Sequence, residues 1–336
     1  MKGSYDVRIE NARVQFKLTL NRNLTVIRGR SATGKTTLVN MVAQYARDGQ
    51  ASGITLSSPR PCVALEGSDW SEKLRRVASS FVFIDEGSGF LRTEEFARAV
   101  KESDNYYVIV SREDFPMLPY SVEEVYEIKN TTSRYPGVRK FYAHTKRMYG
   151  EVPGVEEPQV VIVEDSNAGF TFFEELCHHS GAECVSAGGK GNVLLELRRC
   201  EADRILVVAD GAAFGPHMEM VLAQARRKGA GLFLPESFEW LVLKSGIVKK
   251  GRIDEILADP ASFIESSEFF SWERFFDAVL TEKTRGTYLR YSKKKLNPAY
   301  LQQHEFDAIA SQLDATGLAS PSKKLSHKSQ SRNPNC

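Results

Sequence analysis

The chain has 336 residues, of which 42% are hydrophobic and 26% are charged, and its formal net charge is +2. This composition is ordinary for a globular protein of about two domains, and so small a net charge excludes an overall basic field that would attract nucleic acid. Its five cysteines form no disulfide framework, and we find neither a signal peptide nor an apolar run of ~20 residues, so we expect a cytoplasmic protein without membrane contact.

The first predicted elements are a β-hairpin and a third strand that leads into a phosphate-binding motif. Residues 5–20 alternate between apolar and polar, as the two strands of a hairpin do. A short apolar strand follows at residues 24–28, and helical spacing of apolar residues begins at Lys35. Between them lies a complete G-x-x-x-x-G-K-[ST] motif, which requires a strand before it and a helix after it. Its residues are Gly29, Arg30, Ser31, Ala32, Thr33, Gly34, Lys35 and Thr36.

This motif predicts a binding site for a nucleoside triphosphate and magnesium. Backbone N–H groups of the loop and the N-terminus of the helix attract phosphate oxygens. We expect Lys35 to lie between the β- and γ-phosphates, the hydroxyl of Thr36 to ligate Mg²⁺, and Thr37 to complete the nucleotide-binding segment. ATP and Mg²⁺ are therefore the expected cofactors, and GTP is less favoured because no [NT]-K-x-D motif follows.

A second buried strand is predicted at residues 81–84, and it ends at two carboxylates, Asp85 and Glu86. Open parallel sheets bind ligands at the carboxyl ends of their strands, and we expect this strand to lie next to the strand before the phosphate loop. Asp85 would hold Mg²⁺ through water, and Glu86 would orient or deprotonate the attacking water. The next strand ends at Arg112, which either senses the γ-phosphate or is a solvated strand-end residue.

The rest of the chain predicts a second α/β domain, because strands and helices alternate at lengths typical of a parallel sheet. The first and third strands of this domain end at Glu164 and Asp210. Overall, the expected fold class is α/β with two sheets and a helical C-terminal region. The expected parts are a nucleotide-binding domain at 1–150, a linker at 151–158, a second α/β domain at 159–250, a helical region at 251–318 and a disordered basic tail at 319–336.

Two basic segments are candidate contacts for nucleic acid. The tail carries four basic residues and no acid. Residues 283–295 carry six basic residues interleaved with Tyr288 and Tyr291, a mixture that suits phosphate contact with base stacking. A solvated helix face explains the second segment as well, and we favour that interpretation.

The first 150 residues resemble the nucleotide core of ABC-type and AAA-like P-loop ATPases, through the hairpin, the phosphate loop and the acidic strand end. No LSGGQ-like signature occurs, so the dimer closure of ABC ATPases is not expected. Many P-loop ATPases complete their site with an arginine from a second copy, which makes a homo-oligomer a further expectation. Arg112, Arg134 and Arg139 are the candidates for that arginine.

Residues 159–247 resemble a Toprim domain, the metal-dependent fold of topoisomerases, primases and OLD-family nucleases. The resemblance implies that Glu164 is a general acid/base and that Glu164 and Asp210 form a second Mg²⁺ site. The family's Asp-x-Asp pair is broken here, because Ala212 stands at the second aspartate. Asp165 or Glu174 would have to compensate.

The pairing of a P-loop ATPase with a Toprim-like domain resembles the OLD family and related phage-defence and mobile-element proteins. We therefore expect a Mg²⁺-dependent ATPase, with Lys35 and Glu86 as its catalytic residues, coupled to a domain that acts on or binds nucleic acid. One alternative is a nucleotide-gated switch that binds a protein partner without nuclease chemistry. Another is a P-loop kinase.

Overall fold

The computed structural model of the protein describes residues 1–29, 34–132, 141–149 and 153–318. Several predicted features lie outside these residues. They are the motif residues Arg30, Ser31, Ala32 and Thr33, the candidate arginines Arg134 and Arg139, and the basic tail.

The chain divides into two compact units. The first contains Met1–Gly150 together with Ala258–Ser271. The second contains Glu151–Leu257 and Trp272–Cys336. The short segment from Ala258 to Ser271 is fixed within the first unit by backbone hydrogen bonds, for example from Gly3 N to Ala261 O (2.7 Å).

A mixed nine-stranded sheet forms the first unit, with strand order β4-β1-β2-β9-β8-β3-β7-β6-β5. The strands are β1 (Tyr5–Glu10), β2 (Val14–Leu20), β3 (Leu24–Arg28), β4 (Thr55–Ser57), β5 (Cys62–Ala64), β6 (Phe81–Ile84), β7 (Tyr106–Val110), β8 (Val125–Thr132) and β9 (Phe141–Arg147). The helices are α1 (Lys35–Asp48), α2 (Trp70–Arg75) and α3 (Glu94–Lys101). The antiparallel pair of β1 and β2 is the hairpin expected from the alternating pattern.

The centre of this sheet is parallel and apolar. Every residue of β3, β6 and β7 is buried, as expected of strands covered on both faces. Helix α1 contributes Leu38, Val39 and Val42 to the same core, and each fully buried aliphatic side chain contributes about 1.5–3 kcal/mol. The strands and α1 therefore fix the positions of the residues that follow the strand ends.

The order of these strands corrects one expectation. The strand that ends before Asp85 was expected next to the strand before the phosphate loop, and this is wrong. Strand β7 pairs with both β3 and β6 and lies between them. The pattern of a buried strand gives its length and burial, but it does not distinguish one central position in a sheet from another.

A parallel four-stranded sheet, with order β11-β10-β12-β13, forms the second unit. Its strands are β10 (Val160–Val163), β11 (Glu183–Ser186), β12 (Ile205–Val208) and β13 (Gly231–Phe233). The remaining helices are α4 (Ala168–Ser180), α5 (Val193–Arg199), α6 (Gly215–Lys228), α7 (Phe238–Lys244), α8 (Ile253–Ala258), α9 (Trp272–Thr284) and α10 (Gln303–Ala310). With two sheets rich in parallel pairs, the α/β class predicted from the sequence is confirmed.

The basic segment 283–295 does not form a helix face. Helix α9 ends at Thr284, and the next helical turn begins at Pro298, so the favoured interpretation of a solvated helix face is wrong beyond residue 284. Tyr291 of this segment is buried, whereas Tyr288 is 64% exposed. None of the helices in the described parts of the chain is long and apolar enough to cross a membrane.

Candidate functional sites

The predicted nucleotide-binding residues meet at one edge of the first sheet. Strands β3, β7 and β6 run parallel, so their carboxyl ends lie side by side. The phosphate-binding motif follows β3, the Asp85–Glu86 pair follows β6, and Arg112 lies just after β7. This edge is the first candidate site, which we call the nucleotide edge.

Lys35 is the first residue of α1, and its side chain is buried at this edge. Only 5% of the residue is exposed, and its ammonium donates a hydrogen bond to the carbonyl oxygen of Gly29 at 2.9 Å. Burial lowers the pKa of Lys35; Glu86 and Asp85 oppose this shift, and Arg112 adds to it. The ammonium of Lys35 therefore contacts the residue that directly follows β3.

Thr36 and Asp85 contact each other across the edge. The hydroxyl Oγ1 of Thr36 donates to Oδ1 of Asp85 at 3.3 Å. The same carboxylate oxygen accepts a hydrogen bond from the backbone N–H of Glu86 at 2.8 Å, which fixes its direction. A hydroxyl from the motif and a carboxylate from the next-but-one strand thus lie in direct contact. Thr37, like Thr36, is exposed on α1.

Glu86 has a partner that the sequence did not indicate. Its carboxylate oxygen Oε1 lies 3.1 Å from Nε of Arg112, and both side chains are partly exposed (36% and 53%). Exposed ion pairs contribute only about 0–1 kcal/mol. The ion pair of Glu86 with Arg112 therefore contributes little to the stability of the fold.

Two glycines of the motif adopt backbone conformations that other residues rarely adopt. Gly29 has φ 128° and Gly34 has φ 92°. A Cβ atom at Gly34 would also lie 3.4 Å from the ring of Phe16. These two positions bracket the loop, so their glycines satisfy a steric requirement of the turn from β3 to α1.

Arg28 is held firmly at the end of β3, and no pattern in the sequence indicated this. It is the last residue of β3 and is 2% exposed. Its guanidinium donates to Tyr120 Oη at 2.9 Å and to the carboxylate of Asp114. An arginine at the end of an apolar strand does not indicate which residues it will contact. The fold is therefore needed to identify Tyr120 and Asp114 as its partners.

The nucleotide edge fits a magnesium-bound triphosphate. Hard cations such as Mg²⁺ prefer oxygen ligands and often take only one or two from the protein, and the Thr36 hydroxyl with the Asp85 carboxylate supplies two that already touch. The buried ammonium of Lys35 adds the positive charge that a phosphate requires. The loop residues 30–33 lie outside the described residues, so the fit rests on these side chains.

The second sheet also brings two predicted residues together at its carboxyl edge. Glu164 follows β10 and Asp210 follows β12, and the two strands are paired. The backbone N–H of Asp210 donates to Oε2 of Glu164 at 3.1 Å. The fold thus places the Glu164 carboxylate beside the turn that carries Asp210.

Two further acids join them from helices that the sequence did not associate with this edge. Glu273 comes from the first turn of α9, and Glu239 comes from the first turn of α7. The pKa of Asp210 is raised well above its usual range by burial and by the neighbouring charges of Glu273, Glu164 and Glu239. We call the four residues Glu164, Asp210, Glu239 and Glu273 the acidic pocket.

Two lysines lie in this pocket and bind one of its acids. Lys190 Nζ donates to Oε2 of Glu273 at 2.8 Å, and Lys293 Nζ donates to Oε1 at 2.8 Å. Burial opposes ionisation of Glu273, yet the two ammonium groups outweigh it and hold its pKa at about 2. Glu273 is therefore an ionised acid between two cations.

Glu239 is the most enclosed member of the pocket. It is 1% exposed, and its Oε1 accepts a hydrogen bond from the hydroxyl of Tyr291 at 2.6 Å. Lys293 Nζ lies 3.9 Å from the same oxygen. Burial raises the pKa of Glu239, although Lys293 and the Tyr291 hydroxyl lower it in part.

The residues expected to replace the missing aspartate do not do so. Both carboxylate oxygens of Asp165 are used at the start of α4, where they accept from the backbone N–H groups of Ser166, Asn167 and Gly169. Glu174 lies on the exposed face of α4. Ala212, at the position of the second aspartate, is 2% exposed and has no ligand atom in its side chain.

The acidic pocket therefore does not fit a divalent cation as the Toprim resemblance implied. Among the described residues, the one group of three or more metal-ligating side chains whose ligand atoms converge is Glu175, His178 and His179, on the surface of α4. In the pocket, the cations that contact Glu273 are lysine ammonium groups. The expected Mg²⁺ ligands Glu164 and Asp210 thus belong to no such group of three among the described residues.

No protein-family model matches this chain, and a search of curated proteins found no significant match.

Proposed function

We propose that the first unit binds MgATP and hydrolyses it. The observation that carries this proposal is the contact between the Thr36 hydroxyl and the Asp85 carboxylate, beside the buried ammonium of Lys35. A hydroxyl, a carboxylate and an ammonium at the carboxyl ends of parallel strands are the groups that phosphoryl-transfer sites use. ATP is favoured over GTP because the sequence lacks a guanine-reading motif.

Each residue has a separate task in this proposal. Lys35 binds the phosphates, and Thr36 and Asp85 would hold the magnesium ion, which neutralises phosphate charge when it is bound. Glu86 accepts a proton from the attacking water. Arg112 holds Glu86 in the nucleotide-free protein, and its weak pairing lets it turn toward the phosphates when the anion arrives.

Nucleotide binding is tested first, with calorimetric titration of ATP in the presence of Mg²⁺. Lys35→Ala should weaken ATP binding by roughly 10- to 100-fold, because charge-assisted hydrogen bonds contribute roughly 1.5–3 kcal/mol. Lys101→Ala, an exposed lysine in the last turn of α3, is the matched control and should bind ATP as the wild type does. If the wild-type protein binds neither ATP nor GTP with Mg²⁺, the proposal is wrong.

Hydrolysis is tested by phosphate release. Glu86→Gln should retain ATP binding and release phosphate roughly 100-fold more slowly, in line with the usual contribution of general acid–base catalysis. Glu94→Gln, an exposed acid at the start of α3, is the control. A wild-type rate in Glu86→Gln would remove Glu86 from the mechanism.

For the second unit, we infer a role in binding a partner, in preference to metal-dependent nuclease chemistry. The specific observation is that Glu273 in the acidic pocket is bound by two ammonium groups. The ATPase would then act as a switch whose nucleotide state a protein or nucleic-acid partner reads. A nuclease assay with Mg²⁺ or Mn²⁺ distinguishes the two roles. Cleavage that both Glu164→Ala and Asp210→Ala eliminate would restore the nuclease hypothesis.

A further inference from the structure

The acidic pocket contains charged groups of both signs. Four carboxylates face it, and two ammonium groups reach it from different parts of the chain. Lys190 belongs to the turn that follows β11, and Lys293 lies in the non-helical segment that follows α9. Each ammonium binds a different oxygen of Glu273, at 2.8 Å in both cases.

We propose that Lys190 and Lys293 take the place of a divalent cation in the acidic pocket, so that the second unit folds and functions without a bound metal ion. Two monovalent ammonium groups carry the same total charge as one Mg²⁺. Each of them contacts a separate oxygen of the Glu273 carboxylate.

The backbone fixes one of these cations in place. The N–H of Gly189 donates to the carbonyl oxygen of Glu164 at 2.8 Å, so the turn that carries Lys190 is attached to the residue that begins the pocket. Glu164 and Glu273 both raise the pKa of Lys190, although burial opposes the shift. The lysine therefore remains charged and close to the carboxylates that it neutralises.

The second cation links two acids. The ammonium Nζ of Lys293 donates a hydrogen bond to Glu273 and lies 3.9 Å from Oε1 of Glu239. Glu239 also accepts the Tyr291 hydroxyl, two residues before Lys293, so this segment supplies both a hydrogen-bond donor and a charge. Buried carboxylates need such partners, because an unpaired buried charge is strongly destabilising.

A metal ion would have to displace these groups from Glu273, because no three carboxylates of the pocket bring oxygen atoms within 4.8 Å of one another in this arrangement. Ala212 offers no oxygen from its side chain, and both oxygens of Asp165 serve the start of α4. Mg²⁺ loses its water reluctantly and requires near-octahedral oxygen geometry. Lysine ammonium groups need only hydrogen-bond distance, which Glu273 provides.

The experiment measures thermal unfolding with and without divalent ions, in an Asp85→Asn background that removes the metal-binding carboxylate of the first unit. Without nucleotide, this background should show the same melting temperature in EDTA, in millimolar Mg²⁺ and in millimolar Mn²⁺ at constant ionic strength. Adding Lys190→Met and Lys293→Met should lower the melting temperature in EDTA by several degrees, because the partly buried Glu273 carboxylate would lose both of its ammonium partners. Mn²⁺ should then restore a large part of the loss.

The control replaces two exposed neighbours, Lys294→Met and Lys295→Met, and should show neither the loss nor the metal response. If the double variant at 190 and 293 does not fold, Lys190→Met alone tests the same response. Mn²⁺ binding is also measured directly by electron paramagnetic resonance in the Asp85→Asn protein. The proposal is overturned if that protein binds Mn²⁺ in a manner that Glu164→Gln removes, or if a folded lysine variant gains no stability from Mn²⁺. Neither result depends on ATP binding by the first unit.

Discussion

Glu124 makes the stability of the first unit depend on pH. The residue precedes β8 and is fully buried (0% exposed). Its carboxylate accepts a hydrogen bond from the Thr25 hydroxyl at 3.2 Å and lies 3.6 Å from the guanidinium of Arg22. Burial raises the pKa of Glu124 from 4.5 to about 7, although Arg22 and other cations lower it in part.

The size and the direction of the effect follow from this shift. The folded state holds the Glu124 proton more tightly than the unfolded state, so its contribution to stability is complete below pH 4.5. As the pH rises from 4.5 to 7, the contribution is lost, because the unfolded state releases this proton while the folded state keeps it up to its raised pKa of about 7. One pKa unit corresponds to 1.36 kcal/mol, which gives a loss of about 3 kcal/mol between pH 4.5 and pH 7.

Native-state hydrogen exchange of the β3 amides measures this loss, since it reports the stability of the first unit alone. The quantity compared is the difference in the free energy of unfolding, wild type minus Glu124→Gln. This difference should fall by about 3 kcal/mol from pH 4.5 to pH 7. Glu268→Gln, which replaces an exposed acid of the same unit, should show no such change. A difference between the wild type and Glu124→Gln that stays constant over this range would refute the reasoning.

Three further variants test local features. Gly34→Ala should lower the free energy of unfolding by roughly 1–2 kcal/mol and weaken ATP binding, because an L-residue at φ 92° is strained. In the control Gly89→Ala, the added methyl group would have no neighbour within 4 Å, so neither the melting temperature nor the ATP titration should change. Arg112→Ala should change the free energy of unfolding in denaturant by less than about 1 kcal/mol, since its pair with Glu86 is exposed; a larger loss would mean that the arginine is structural. Asp165→Ala should lower stability by roughly 1–2 kcal/mol through loss of its hydrogen bonds to the backbone N–H groups at the start of α4, and an unchanged melting temperature would contradict that role.

The phosphate-binding motif was predictable because its signal is local. A strand, a glycine-rich turn and a helix are adjacent in the chain, and the burial of β3 and the start of α1 at Lys35 follow from that pattern. The contact of Thr36 with Asp85 joins residues 49 positions apart, and the motif chemistry indicated it before any fold was known. The order of the strands between them was not predictable, since hydrophobic strands in a sheet are alike in sequence.

In the acidic pocket, the sequence indicated two of the residues and not the others. Glu164 and Asp210 were identified because each follows an apolar strand. Glu273 follows no strand, and Lys293 belongs to a basic run that suggested a nucleic-acid surface. Lys190 lies 83 residues from Glu273, and no periodic pattern connects them. The ion pairs are a result of tertiary packing alone, which is why the sequence predicted a metal ligand set and the fold contains a lysine network.

The two sites differ in how their acids obtain a counter-charge, and this difference separates their responses to magnesium. At the nucleotide edge, Asp85 is partly exposed and its neighbour is a neutral hydroxyl, so a cation and its triphosphate can bind there together. In the acidic pocket, the ammonium groups of Lys190 and Lys293 already bind the carboxylate of Glu273. Magnesium should therefore affect this protein through the first unit and only when nucleotide is present. A stabilising effect of Mg²⁺ that persists without nucleotide and in the Asp85→Asn variant would place a metal ion elsewhere in the chain.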